Sequence, residues 1–288
     1  MNYSALIENR RSVREFTDKK IPVARLGDIR KYYRNHAKRL LPELRTDLVI
    51  LDSKAREALE GAAGYNRFLV GAPHYMVLLS DRHELATVNA GYLMEDLILK
   101  LTELDLQSCW VTFTDSQRIK KSVGIVSPLD ILAIVAIGYG AKTTKRLRVN
   151  IESMSNVDIQ AKRQYFEPKR SISDMVFLNT WGNTGKVNEH IGFFDDMLWE
   201  SFRAASLAPS YLNRQAYGFV LHDGCVTLVR RSDEYTTEAD GALSLGIVLL
   251  HFSAVAEGWA GKLNWRFDAD GSDLGLPEGF EAVATCAL

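Results

Sequence analysis

The sequence has little of what most catalytic machinery is built from. Its three cysteines, Cys109, Cys225 and Cys286, lie far apart in apolar stretches. No C-x-x-C or Cys/His spacing suggests zinc, so reduced, buried thiols in a reducing compartment are expected. There is no G-x-S-x-G elbow and no H-E-x-x-H. Gly138-Tyr139-Gly140-Ala141-Lys142-Thr143 follows an apolar run but fits neither G-x-x-x-x-G-K-[ST] nor G-x-G-x-x-G. The stretch after it is no apolar helix, which excludes a P-loop or Rossmann reading. The histidines, His36, His74, His83, His190, His222 and His251, are scattered without ligand spacing, so no metal is expected. Net charge is also missing, at −1, so no global field favours nucleic acid or an anionic membrane. The first residues are polar where a signal peptide needs an apolar region, and a cytoplasmic location is expected. Gly241–Gly261 is the most membrane-like stretch. His251 and Glu257 interrupt it, leaving less than the roughly 20 apolar residues a span needs, so it reads as a core helix.

What is there is a soluble globular chain of 288 residues, 47% apolar and 25% charged. That length suits two ordinary domains or one larger α/β unit. Asp47–Leu51 and Ala72–Leu79 read as strands, Lys54–Ala63 as a helix, and Ala90–Leu104 as a helix with a wide apolar face. Ser108–Phe113 is extended, and Ile131–Ile137 is a strand closed by Gly138-Tyr139-Gly140. The second half replays this order. Asp195–Leu207 is a helix, Tyr217–His222 and Cys225–Val229 are strands joined at Asp223-Gly224, a hairpin signal. Asp240–Glu257 is a long apolar helix, Trp259–Phe267 is extended, and Phe280–Ala287 is a last strand. Gly91 matches Gly241 and Trp110 matches Trp259 at about 150 residues' separation. The expected division is residues 1–150, a connection at 151–168, and residues 169–288. The expected fold is α+β, two pseudo-symmetric halves with antiparallel-type mixed sheets around long central apolar helices, a dimer fused into one chain.

Two stretches offer chemistry. Arg10-Arg11-Ser12-Val13-Arg14, followed by Glu15-Phe16, puts three guanidinium groups and a hydroxyl within five positions, an anion site if it is not a solvated basic helix. Ala208-Pro209-Ser210-Tyr211-Leu212-Asn213-Arg214-Gln215-Ala216-Tyr217 presents hydroxyl and amide groups from a loop that proline separates from a helix. Those groups suit a planar heterocycle or a polyol, or are simply the satisfied polar groups of a turn. Arg30–Arg45 is strongly basic and reads as a solvated amphipathic helix or, against the balanced net charge, a nucleic-acid-binding module.

These strings resemble the nitroreductase family of flavin-dependent oxidoreductases. Arg10–Phe16 is similar to its R-R-S-[IV]-R-x-F, and Pro209–Tyr217 to its P-S-x-x-N-x-Q-P-W, with Ala216-Tyr217 for Pro-Trp. Cys109-Trp110-Val111-Thr112 looks like its C-W-[IV]-G, with Thr112 for the glycine and Asp105-Leu106 for the preceding Gly-Leu. Ile134–Tyr139 looks like its I-x-A-I-G-Y. In this chain the first half keeps the arginine motif but has Arg39–Leu44 where the amide loop should fall. The second half keeps the loop but has Arg170-Ser171-Ile172-Ser173-Asp174 in place of the arginines. The losses are complementary, as in a single-chain, internally duplicated subgroup with one surviving composite site.

The resemblance implies flavin mononucleotide (FMN) as cofactor. Its phosphate would be held by Arg10, Arg11, Ser12 and Arg14, with Arg146 or Arg148 as a second jaw. The ring and ribityl chain would lie against Trp110, Val111, Thr112 and Asn66, covered by Pro209, Ser210, Tyr211, Asn213 and Gln215. The flavin N5 would carry the hydride, so no catalytic side chain is named. NAD(P)H would bind transiently, and a small-molecule acceptor (nitroaromatic, quinone or activated alkene) would take the electrons. The alternative is a flavin-binding protein without turnover. Neither nucleic acid nor membrane is expected as partner, and a functional monomer is.

Overall fold

The computed structural model describes residues 1–65, 68–141, 146–153, 156–162, 168–184 and 196–288, the two stretches within 146–162 by backbone alone. In the first half, β1 (Thr46–Asp52), β2 (His74–Ser80), β3 (Gln107–Val111) and β4 (Asp130–Gly138) form an antiparallel sheet in the order β1-β2-β4-β3. Its helices are α1 (Tyr3–Asn9), α2 (Val23–Asn35), α3 (Ala55–Leu59), α4 (Ala86–Glu103) and α5 (Ser116–Ser122). A hairpin of β5 (Arg146–Ser153) and β6 (Asn156–Lys162) runs across position 150, in the region expected to connect the halves. The second half holds β7 (Val176–Leu178), α6 (Asp196–Ser206), β8 (Tyr217–His222), β9 (Cys225–Arg230), α7 (Glu238–Ala256) and β10 (Glu281–Ala287). Its sheet runs β10-β9-β8-β7, antiparallel except for the parallel β7–β8 pair.

The two halves are copies of one unit. β8, β9 and β10 pair in the same order as β1, β2 and β4. Where β3 lies on β4, the second half keeps an antiparallel bridge between Arg266 and Thr285. The expected hairpin is present: Asp223 and Gly224 both have positive φ, 47° and 71°, as a type I′ turn requires.

The long helices α4 and α7 cross at their glycines. A Cβ on Gly91 would lie 2.2 Å from the Leu243 carbonyl oxygen, and one on Gly246 would lie 1.9 Å from that of Val88. Both correspondences, 91 to 246 and 88 to 243, span 155 residues, so the contact is isologous within one chain. This corrects the expected match of Gly91 with Gly241. It also moves the tryptophan match from Trp259 to Trp265. Trp110 Nε1 donates to Glu95 on α4 at 3.0 Å, and Trp265 Nε1 donates to Ser253 on α7 at 2.9 Å. Trp259 instead donates to Ser201 on α6.

α7 is apolar on all sides because α4 and α6 cover it, as a helix without a polar face requires. By length and composition it passes for a membrane span, but 72% of its most apolar window is buried here. The basic stretch does not stay helical to Arg45. α2 stops at Asn35, since the chain beyond it is drawn onto α4: Lys38 N donates to Asp96, and Leu40 and Leu41 N to Asn89.

Candidate functional site

The N-terminal motif is not a basic helix. α1 ends at Asn9, and Arg10 already has extended geometry (φ −59°, ψ 133°). The chain then lies as a strap beside the sheet edge. Ser12 bridges Ser108 in parallel, and Val13 N donates to Ser108 O at 2.9 Å. Further on, Phe16 bridges Gly140, Thr17 N donates to Tyr139 O, and Ala141 N donates to Glu15 O. Extended backbone has a side-chain period of two, so Arg10, Ser12 and Arg14 share one face and Arg11 the other. Arg11 folds back: its Nη1 donates to the carbonyls of Glu8 and Arg10, closing the C-terminal end of α1. Burial and the neighbouring Arg10 charge lower the Arg11 pKa.

Arg10 is 8% exposed, and its Nη1 donates to Ser12 Oγ at 3.4 Å. Its Nε lies 3.5 Å from Glu95 Oε1, an ion-pair distance without hydrogen-bond geometry, so this buried N–H has no acceptor. Glu95 is fully buried at the centre of α4. Oε2 accepts from Trp110 Nε1, and Oε1 lies 3.0 Å from Nε2 of the equally buried His251 on α7. His251 Nδ1 sits 3.0 Å from Ala204 O on α6. The pair therefore ties the two halves together beside the strap.

The second motif is a strained loop. α6 ends before Pro209, and Leu212, Asn213 and Gln215 all have left-handed φ of 47°, 55° and 46°. Such residues cost on the order of 1 kcal/mol each and persist only where neighbours fix them. Ser210 Oγ accepts from Gln215 N at 2.9 Å, and Tyr211 N donates to Ser244 Oγ on α7 at 3.3 Å. Gln215 is buried with its amide committed at both ends, to Arg170 N and Ser206 O. Asn213 accepts from Lys169 Nζ at 2.7 Å and donates to Pro168 O. Tyr217 takes the position of the family's tryptophan. Its phenol is fully buried with no partner in full hydrogen-bond geometry, though the Gln215 side chain is close enough to act on it, and burial pushes its pKa far up. Glu95 and Arg170 are close enough for their charges to act on it.

The two motifs are linked through β3 and α7, the strap at Ser108 and the loop by way of Thr112 just past the other end of the strand. Thr112 Oγ1 donates to Asp240 at 3.0 Å, Ser244 Oγ donates to Asp240 O, and Ser244 Oγ receives Tyr211 N. Gly64 N donates to Thr112 O, which docks the 61–65 turn on the same strand end. A cleft of about 240 Å³ opens between the loop and the first turns of α7, lined by Ser210, Tyr211, Tyr217, Gly241 and Ser244.

The other half of each expected pairing has also been placed. Asn89 on α4, holding the amides of Leu40 and Leu41, stands 155 residues before Ser244, which holds that of Tyr211. Arg39–Leu44 therefore occupies the place of the amide loop in the first half. Within the Arg170–Asp174 stretch, Ser171 Oγ donates to the Asp174 carboxylate at 2.7 Å. Of the remaining candidates, Asn66 lies outside the described residues. Arg146 and Arg148 lie on β5, described by its backbone alone. The sequence reading missed Glu95 and Asp240 and set His251 aside. The available signal was an acid or a histidine inside an otherwise apolar helix, which is buried only with a partner.

A family model described as "Putative TM nitroreductase" matches residues 2–176. A search of curated proteins finds no match. Among solved structures, a putative nitroreductase from Thermotoga maritima aligns with a TM-score of 0.60 at 20% identity, covering 100% of this chain and 94% of that one. A nitroreductase with bound FMN from Bacteroides fragilis aligns at 19% identity and TM-score 0.42, over 56% of this chain and 100% of its own. A nitroreductase family protein from Clostridium novyi aligns at 17% identity and TM-score 0.43, over 49% and 87%. The model match takes in the arginine strap, α4, β3 and the Gly138-Tyr139-Gly140 turn, well over half of the sequence, and the chain belongs to this nitroreductase family.

Proposed function

We propose that the protein is an FMN-dependent oxidoreductase that takes electrons from NAD(P)H and passes them to a small electron-poor acceptor, a nitroaromatic, quinone or activated alkene. One observation carries this reading. The arginine strap of one half lies on β3 at Ser108, and the strained amide loop of the other half is tied through Ser244 and Asp240 of α7 to Thr112, just past the far end of the same strand. The donor set fits the cofactor. Arg10, Ser12 and Arg14 share a face, and the buried Arg10 Nε–H lacks an acceptor, a costly vacancy that a phosphate oxygen would fill. Trp110, Val111 and Thr112 would line the ring, with Pro209, Ser210 and Tyr211 covering it. Asn213 and Gln215 would act by fixing the loop's left-handed backbone. When bound, the flavin supplies the hydride chemistry at N5, and the protein supplies binding, orientation and electrostatics.

The test is direct. Purified protein should take up FMN, show flavin absorbance bands and be reduced by a nicotinamide without oxygen. A protein that stays colourless with added FMN sinks the reading. A second reading, flavin storage without turnover, is favoured by one contact. Thr112 donates to Asp240, which places a carboxylate against the segment proposed to line the ring and disfavours an anionic reduced flavin there. Binding without nicotinamide-driven reduction would select it. A single chain in the cytoplasm is the proposed working form.

A further inference from the structure

His251 Nδ1 faces the carbonyl of Ala204, so this nitrogen carries a hydrogen and donates. Nε2 then faces Glu95 Oε1 at 3.0 Å. Two lone pairs facing each other at that distance in a dry interior are costly, so the favoured arrangement holds one proton between them, on the imidazole or on the carboxyl. Trp110 Nε1 donates to the other carboxyl oxygen, and Arg10 stands 3.5 Å from the shared one. With its proton the Glu95–His251 pair is neutral. Without it the pair carries one negative charge beside Arg10. Among the described residues, other titratable groups stand near it. Tyr217 from β8 is an uncharged phenol, and Arg170 acts on it from the stretch before β7. Asp96, next along α4, turns to Tyr3, Tyr32 and the Lys38 amide, and α6 contributes the Ala204 carbonyl.

We propose that the Glu95–His251 pair is a proton-linked counter-charge to Arg10 that governs how strongly the site holds a phosphate group. This rests on the FMN reading above. With the proton in place, Glu95 exerts no net pull and Arg10 is available to the phosphate. Once the proton leaves, a buried carboxylate competes for the same guanidinium and repels the dianion. By linkage, phosphate binding favours the protonated pair, and affinity falls as pH rises. Glu95 and His251 act through Arg10 and are positioning residues.

The experiment measures the dissociation constants of FMN and of riboflavin, which lacks the phosphate, between about pH 6 and 9. It compares the wild type with Glu95→Gln and His251→Gln, whose folding is checked by thermal melting. Calorimetry in buffers of different ionisation enthalpy counts the protons taken up. Wild-type affinity for FMN should weaken as pH rises, by at most about tenfold per pH unit for one linked proton. Glu95→Gln, permanently neutral and still able to bond Trp110 and His251, should bind FMN at high pH as tightly as the wild type at low pH. A merely structural role for Glu95 predicts the opposite, a loss at every pH. The phosphate's own second ionisation is common to all variants and cancels in the comparison. Equal pH slopes for wild type and Glu95→Gln, or the same slope with riboflavin as with FMN, overturn the linkage while leaving FMN binding intact. Failure of the wild type to bind FMN at any pH overturns both.

Discussion

Gly91 and Gly246 stand 155 residues apart in the chain and do the same task on opposite sides of one crossing. Each lets the backbone of the other half's long helix come within contact distance. The proposed composite site depends on that approach, because Asp240 and His251 reach Thr112 and Glu95 only from α7 packed this closely on α4.

Gly246→Ala should therefore be severe. The new Cβ would fall 1.9 Å from a carbonyl oxygen and 2.7 Å from Tyr92 N, both backbone atoms that cannot rotate away. A loss of about 3 kcal/mol is expected, at the upper end of overpacking costs. Urea denaturation measures it, and an unchanged midpoint would mean the helices can slide apart freely.

Asp105→Gly should go the other way. Asp105 has φ 56° at the end of α4, where Leu106 N donates to Leu101 O and Asp105 N to Thr102 O, the paired bonds of a Schellman cap. The family's glycine position is thus kept in shape and changed in residue. Glycine removes the left-handed penalty and should add about 0.5–1 kcal/mol. The readout is a higher urea midpoint at constant slope.

Arg14→Ala should weaken FMN binding by about 1.5–3 kcal/mol if charge-assisted bonds to the phosphate are lost. Riboflavin binding should not change. Titration should end at one FMN per chain, since the matching place in the first half holds Arg39–Leu44 rather than the amide loop. A stoichiometry of two would require a second site.

Asp96 should make stability depend on acid. Burial, its largest influence, raises its pKa in the folded protein, against the opposing bonds from Lys38 N, Tyr3 and Tyr32. The folded state then binds a proton more readily than the unfolded chain. Above about pH 4, where the unfolded carboxyl ionises, stability should fall with rising pH until the folded group ionises too. Asp96→Asn should remove that slope in a series of denaturation curves across pH.

Much of the architecture could be read from the chain because periodicity and turn chemistry are local. The Asp223-Gly224 hairpin, the apolar face of α4, the long apolar α7 and the closing strands needed no tertiary knowledge. Three things did. The arginine motif reads as helix by composition but lies extended, since its backbone bonds go to Ser108 and Tyr139, about 100 residues away. The register of the repeat is set by the helix crossing, because Gly241 and Gly246, five residues apart, are alike in sequence and only that crossing distinguishes them. Glu95 and His251 looked like stray polar residues until α4 and α7 were set face to face.

In two identical chains related by a dyad, every substitution is made twice. Here position 96 of one half is an aspartate held by two tyrosines, and its counterpart 155 residues on is His251, facing Glu95. A symmetric pair could acquire that acid–base couple only in duplicate. Joining the copies in one polypeptide lets each side evolve separately, so a single interface can hold an acid on one face and its base on the other.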